Sequence, residues 1–400
     1  MRLLKDSVIY VAGEVLAKAT PFLLLPYLTR TLGVDGFGEL SYYLSLVAFL
    51  LIAMGLSQNS SISRYYYVYG KQGLGNVLLV GGLYGFVWLM LGAVLSLLVG
   101  NELLWYCFSM AFLQTLLQNQ LALRQCQKLA LHYFGIQITL SMTNLLLTVI
   151  LFNLFSHDVK TRLVAINLAY LFTCMMAFLL AKRQFKLTFR PTYRRLSLAM
   201  RYLLGLGLPL LLHVLSYTMK GQLDRVLIYQ QFSEHKLGIY AAGVQVASSL
   251  SVVIMAINTA TIPYLYENLK NKRMTLAKLQ YFFWLGLGMV PVITVIAWLI
   301  PEAVYAWLLG ADFIASRYYT LVFVLAFALT IPYLVLVNFL FYHGKNQQIS
   351  TCSVLSTLVY LLALWLFSQI KLSYIPFASV LSNLAILPLL YYFTIKVNKT

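Results

Sequence analysis

Apolar residues along this chain gather in runs of about 20, not in the three- and four-residue rhythm of a helix with one wet face. Twelve such runs can be marked: 8–29, 37–57, 77–99, 102–123, 134–155, 162–181, 202–229, 238–262, 280–300, 318–342, 350–370 and 374–395. A helix rises about 1.5 Å per residue, so each run spans a hydrocarbon layer of about 30 Å. Backbone groups in lipid must be bonded within the segment, and so the runs predict helices. The expected fold class is an all-α polytopic membrane protein of about 12 transmembrane helices. The opening MRLLKD is basic and leads into a long apolar run with no small-residue cleavage site, so an uncleaved first span is expected.

Polar residues interrupt these runs in patterns. The first run, from Val8 through VIYVAGEVLAKATPFLLLPYLTR, contains Glu14, Lys18, Pro21 and Pro26. Glu14, Lys18 and Pro21 stand at i, i+4 and i+7, on one helix face, which predicts a lining helix. In span seven His213, Tyr217, Lys220 and Asp224 follow at i, i+4, i+7 and i+11, with Arg225 beside them and Pro209 placed to bend the helix. Span five repeats the spacing without charge in Gln137, Ser141, Asn144 and Thr148, and span four carries Gln114, Gln118 and Gln125. The uncharged rows are expected to join helices by hydrogen bonds. Ionisable residues inside spans more often mark a pathway. The alternative for them is two static pairs, Glu14 with Lys18 and Lys220 with Asp224, both at i, i+4.

Composition excludes a soluble globule: 61% of residues are hydrophobic and 10% charged. The net charge of +18 would suggest nucleic acid in a soluble protein. Sorted by predicted loop, however, 20 of the 29 Lys and Arg fall on the side of the termini, while 8 of the 11 acids fall opposite. The positive-inside rule then predicts cytoplasmic termini and no nucleic-acid partner. The longest basic stretch, KRQFKLTFRPTYRR from Lys182, separates spans six and seven. The expected organisation is an N-terminal six-helix lobe over 1–181, a linker over 182–201 and a C-terminal lobe over 202–400. GFGELSYY at Gly36 and KLGIYAAG at Lys236 begin 200 residues apart, which suggests a parallel repeat with a substrate site at the shared interface.

Lys18, Arg30, Lys220 and Arg225 place cations on the first helix of each lobe, and Arg64 ends span two. Such groups hold phosphate or pyrophosphate. Tyrosines, 29 in all, offer faces for sugar rings, although most are expected at the lipid–water interfaces. The sequence has no phosphate-cradling Gly loop with its Lys, no metal-type His/Cys/Asp spacing and no Asp-rich sugar-nucleotide motif, so neither an enzyme nor an ATP-driven pump is expected, and no cofactor. The four cysteines are expected to be reduced packing residues.

Two stretches carry a family resemblance: PYLTRTLGVDGFGELSY from Pro26, and DRVLIYQQFSEHKLGIYAAGVQV from Asp224, with Pro263 closing span eight. They resemble the polysaccharide-exporter branch of the multidrug/oligosaccharidyl-lipid/polysaccharide (MOP) transporter superfamily, and within it the Wzx-type O-antigen flippases. The resemblance implies a MATE-like, V-shaped pair of six-helix lobes around a central cationic cavity. It further implies a bacterial inner-membrane protein that moves undecaprenyl-pyrophosphate-linked oligosaccharides to the periplasmic leaflet by alternating access, as part of lipopolysaccharide biosynthesis. Arg30 and Asp35 fall in the first motif, Asp224 and Arg225 in the second. Lys18, Arg64, Lys220, His213 and Tyr217 are candidates from spacing alone. A proton or sodium gradient is the candidate coupling source, through Glu14 or Asp224. Candidate partners are membrane lipid, the O-antigen polymerase and its chain-length regulator. The rivals are a drug or toxin antiporter, which favours an acidic cavity; a membrane-embedded glycan polymerase, which needs a large periplasmic loop; and a scaffold that transports nothing.

Overall fold

The structure is a computed structural model and describes residues 2–184 and 192–399, with side chains described for 9–180, 192–211 and 214–396. Every regular element among them is helical. In order they are α1 (Arg2–Gly55), α2 (Gln58–Tyr69), α3 (Leu74–Val99), α4 (Glu102–Cys126), α5 (Ala130–Leu154), α6 (Val159–Gln184) and α7 (Tyr193–Gln231). There follow α8 (Glu234–Lys270), α9 (Leu276–Trp298), α10 (Glu302–Leu309), α11 (Ser316–Ala328), α12 (Thr330–Tyr342), α13 (Asn346–Ile370) and α14 (Phe377–Lys399).

Nine helical stretches among the described residues are long and apolar enough to cross a membrane, and ten with α7. The first of them holds two spans, because α1 is two helices joined at Gly33, where φ is 68°. A side chain would be strained at that angle, so glycine permits the turn. Helix α4, at 25 residues, is long enough to span, but its glutamines lower its hydropathy. With both included, the twelve predicted spans are present. Outward-facing positions are apolar, with Leu97 and Leu98 83% and 80% exposed, so the fold needs lipid around it.

The chain forms two compact units. Unit 1 comprises Met1–Thr20 and Leu40–Thr218; unit 2 comprises Pro21–Glu39 and Met219–Thr400. The expected boundary was the basic linker, most of which lies outside the described residues. The compact units instead divide within α7, and a piece of α1 belongs to unit 2. That piece starts at Pro21, where the missing N–H removes a helical hydrogen bond and frees the chain to change direction.

Inside unit 1, α2, α3 and α4 are joined by a buried amide network. Gln58 donates to the carbonyls of Met54 (3.1 Å) and Gly81 (3.2 Å), and Asn119 donates to Gln58 Oε1 (2.7 Å). In unit 2, α8 packs along α11, with Tyr240 edge-on to Tyr319 and Phe323. Asn101 caps α4 and Ser233 caps α8, each accepting from a backbone N–H of the first turn.

The 200-residue echo has a physical counterpart within unit 2. A Cβ at Gly38 would lie 2.0 Å from the carbonyl oxygen of Glu234, and one at Gly238 would lie 2.0 Å from that of Val34. The contact is reciprocal: residue 38 meets 234 and residue 238 meets 34. Two helix starts therefore cross at backbone distance, as small residues permit in membranes. Asp35 and His235, also 200 apart, bond at 2.8 Å beside the crossing, and Phe37 stacks edge-on against Phe313.

Replacing Gly38 with Ala is expected to cost at least about 1–3 kcal/mol, as overpacking does. A Cβ at Gly288 of α9 would meet nothing within 4 Å beyond its own helical turn, and Ala there should be neutral or stabilising. Thermal unfolding of the purified protein checks the pair; equal midpoints for both variants would contradict the crossing.

Candidate functional site

The predicted site residues fall into several separate settings. In unit 1 the start of α1 packs on α5 through Tyr10 and Tyr133, whose rings meet edge-on at 5.1 Å. Gly13 admits this approach, since a Cβ there would lie 3.3 Å from the Phe134 ring. Tyr133 donates to Glu14 (3.2 Å), and Glu14 pairs with Lys18 at 3.5 Å. Both charged side chains remain more than half exposed, so the pair lies on the surface of this helix. The first expected static pair is therefore made. Arg64 is exposed on α2 and interacts with the hydroxyls of Tyr202 and Tyr69.

Span seven does not present one continuous polar face to a single environment. The His213 side chain lies outside the described ones. Tyr217 is 80% exposed, whereas Asp224, two turns further on, is 3% exposed inside unit 2. The second static pair is not the arrangement found. Lys220 instead donates to the Ser356 hydroxyl of α13 at 2.7 Å, and Ser356 in turn bonds Ser382 of α14. Asp224 accepts from the Tyr240 hydroxyl and from its neighbour's backbone N–H. Arg225 donates to Gln222 at 3.0 Å, while its buried Nε has no partner.

Two residues of the first motif secure the end of the α1 piece in unit 2. Arg30 donates to the carbonyl of Trp307 at the end of α10, and Asp35 takes His235. Both are exposed.

Two cations counted as loop charges are inside unit 1. Arg124, 0% exposed, donates to the backbone and side-chain oxygens of Gln120 and to the carbonyl of Ala177. Helical side chains lean towards the N-terminus, so an arginine in the last turn of α4 reaches back among the spans. Arg162, 5% exposed, donates to Asn144 (2.8 Å) and Thr148 (2.5 Å). Asn144 and Thr148 of the uncharged row on span five thus join helices, as expected, by gripping a guanidinium, whereas the buried Ser141 hydroxyl has no partner among the described residues. The readable signal was that row itself, ending within reach of the first turn of the next span. On α4 the side chains that bond to neighbouring helices include Ser109, Asn119 and Arg124, none of them the predicted Gln114, Gln118 and Gln125; Gln125 is exposed.

A common chemistry links Lys220, Arg30, Arg124 and Arg162. Each is held by neutral oxygens of hydroxyls, amides or carbonyls. Neutral acceptors solvate a cation without cancelling it, so its charge remains available to an anion. No group of His, Cys, Asp and Glu among the described residues could hold a metal.

Helices of this length and polarity, in two units, define a multi-pass membrane protein. The fold matches a multidrug resistance MATE family transporter of the MOP superfamily in an inward-facing conformation, with TM-score 0.68 and 16% identity over 94% of each chain. An outward-facing MATE structure matches at 0.63 and 16%, over 99% of this chain and 96% of the other. A family model described as polysaccharide biosynthesis protein matches residues 3–269. A protein of the Lsg locus of Haemophilus influenzae is 42% identical over 404 residues, covering 100% of both chains. A second membrane protein of that organism is 42% identical over 400 residues, covering 98% of its length. The chain belongs to the polysaccharide biosynthesis protein family, in agreement with the resemblance carried by its two motifs.

Asn144→Leu should destabilise the protein by about 1.5–3 kcal/mol, the usual value of a hydrogen bond to a charged group. Adding Arg162→Met should recover part of that loss, because no unpaired charge then remains. Thermal unfolding in detergent reads both; a double variant less stable than Asn144→Leu alone would refute the assigned partnership.

Proposed function

We propose that the protein is a flippase that carries a lipid-linked oligosaccharide repeat unit across the bacterial inner membrane by alternating access. Undecaprenyl pyrophosphate is the proposed anchor, an O-antigen unit the proposed glycan, and both termini are proposed to be cytoplasmic. The observation that carries this reading is the Lys220 ammonium group, held within unit 2 by the serine pair of α13 and α14 and not by a carboxylate. A cation solvated in this way can exchange a hydroxyl for a phosphate oxygen with a net gain in charge pairing. Membership of the polysaccharide biosynthesis family and the fold of membrane transporters support the same reading.

In this scheme Lys18 and Arg64 of unit 1, and Arg30, Lys220 and Arg225 of unit 2, each offer positive charge to the pyrophosphate, while tyrosines such as Tyr217 meet sugar rings. The prenyl tail stays in lipid throughout, because its burial in water would be prohibitive. Glu14 is the better candidate for ion coupling: it is exposed and shares its charge with Lys18, whereas Asp224 is buried and engaged by Tyr240. A carrier of cationic drugs would require an accessible, unengaged carboxylate within the spans. The arrangement around Asp224 does not favour that alternative.

Proteoliposomes containing the protein should move a fluorescent lipid-linked oligosaccharide between leaflets faster than empty liposomes. Lys220→Ala should reduce that rate by about tenfold or more while leaving the folded yield intact, as loss of a charge-assisted contact does. Wild-type transport no faster than in empty liposomes would overturn the function. An unchanged rate in the variant would overturn only the role of Lys220.

A further inference from the structure

A cavity of about 470 Å³ opens in unit 1 where α2, α3 and the first turns of α7 meet. Its mouth is formed by Gln72 and Arg195, both exposed, and its floor by Val77 and Ala199, both buried. The floor belongs to a buried apolar cluster with Ile62, Leu74 and Leu203. Tyr65 and Tyr202 form the walls, their rings edge-on at 5.3 Å. The Tyr202 hydroxyl donates to the carbonyl of Ser61 (3.1 Å) and that of Tyr65 to the carbonyl of Gln72 (3.2 Å). The rings are therefore held in place with their donors already engaged.

Asn76 is the unexplained group in this cavity. It lines the space, is 5% exposed, and its Oδ1 has no hydrogen-bond partner. Buried amide oxygens are normally bonded, and an orphan gains most from a ligand that donates to it. Positive potential converges on the same space. Helix α3 begins at the cavity behind Gly73, with no side-chain cap and no acid in its first turn, so the positive end of its dipole is uncompensated. Arg195 adds a full charge at the mouth, and Arg64 lies against Tyr202.

We propose that this cavity binds a phosphate ester of a polyol or sugar. The phosphate sits between Arg195 and the start of α3, a ligand hydroxyl donates to Asn76, and the carbon skeleton lies against the tyrosine rings. No carboxylate lines the cavity among the described residues, which disfavours a cationic ligand. A wholly apolar ligand would leave Asn76 unpaired, and inorganic phosphate would leave most of the volume empty. Two sources offer this chemistry, a glycerophospholipid headgroup and the sugar-phosphate portion of a lipid-linked glycan. The site is argued independently of the transport reading.

The test is calorimetric titration of the full chain in detergent with sn-glycerol 1-phosphate, inorganic phosphate and glycerol. The glycerol phosphate is expected to bind at least about tenfold more tightly than either fragment, with Arg195→Gln and Asn76→Leu each weakening it about tenfold. Without ligand, Asn76→Leu should unfold at the same temperature as the wild type or higher, because it removes an unpaired group. Absence of wild-type binding, equal binding of inorganic phosphate, or affinity unchanged in Arg195→Gln would each overturn the proposal. Arg195 is exposed, so that variant decides even if Asn76→Leu does not fold. Repeating the titration in nanodiscs separates the sources. Binding lost in phosphatidylglycerol discs but kept in phosphatidylcholine discs identifies the lipid headgroup. Binding kept in both identifies the sugar phosphate, and binding lost in both overturns the site.

Discussion

Inside a bilayer there is no water to complete a hydrogen-bonding shell, so every polar group among the spans must find its partner in the protein. Most of the internal architecture follows from that constraint. Gln58 and Asn119 join three helices because their amides have nowhere else to bond. Arg162 draws α5 and α6 together through Asn144 and Thr148, and Lys220 draws α7 to α13 and α14 through the two serines. Polar side chains set the helix neighbours, and the apolar ones fill the space between them.

The choice of partner then determines what a buried charge can do. A cation beside a carboxylate is a closed pair that attracts little. Held by amides and hydroxyls, as at Arg124, Arg162 and Lys220, it keeps its positive field. Glu14 and Lys18 represent the other case, an exposed pair on one helix face whose net charge is zero. The two settings give the first and seventh helices different electrostatic character, although their sequence patterns look alike.

Span number, helix class and family were legible because they rest on the length of apolar runs and on two contiguous motifs, which folding does not rearrange. The partners of individual charges were not legible. Lys220 and Asp224 have the spacing of an ion pair, but Ser356 and Tyr240 lie on other helices and reach them first. Arg124 and Arg162 read as loop residues because their positions lie at helix ends, and only the lean of a long side chain takes their charge inside. Unit membership was equally hidden: a proline in a hydrophobic run reads as a kink, and nothing local says which neighbours the chain will join beyond it.

The reciprocal glycine crossing has a consequence for how such a chain could arise. In a simple duplication each half folds on its own and the two are then joined. Here the piece Pro21–Glu39 is lent by the first half to the second, and Gly238 has Val34 as its backbone neighbour only through that loan. A gene cut between residues 182 and 192 would therefore encode one fragment with an unsheathed segment and another with an unfilled groove, each complete only in the presence of the other.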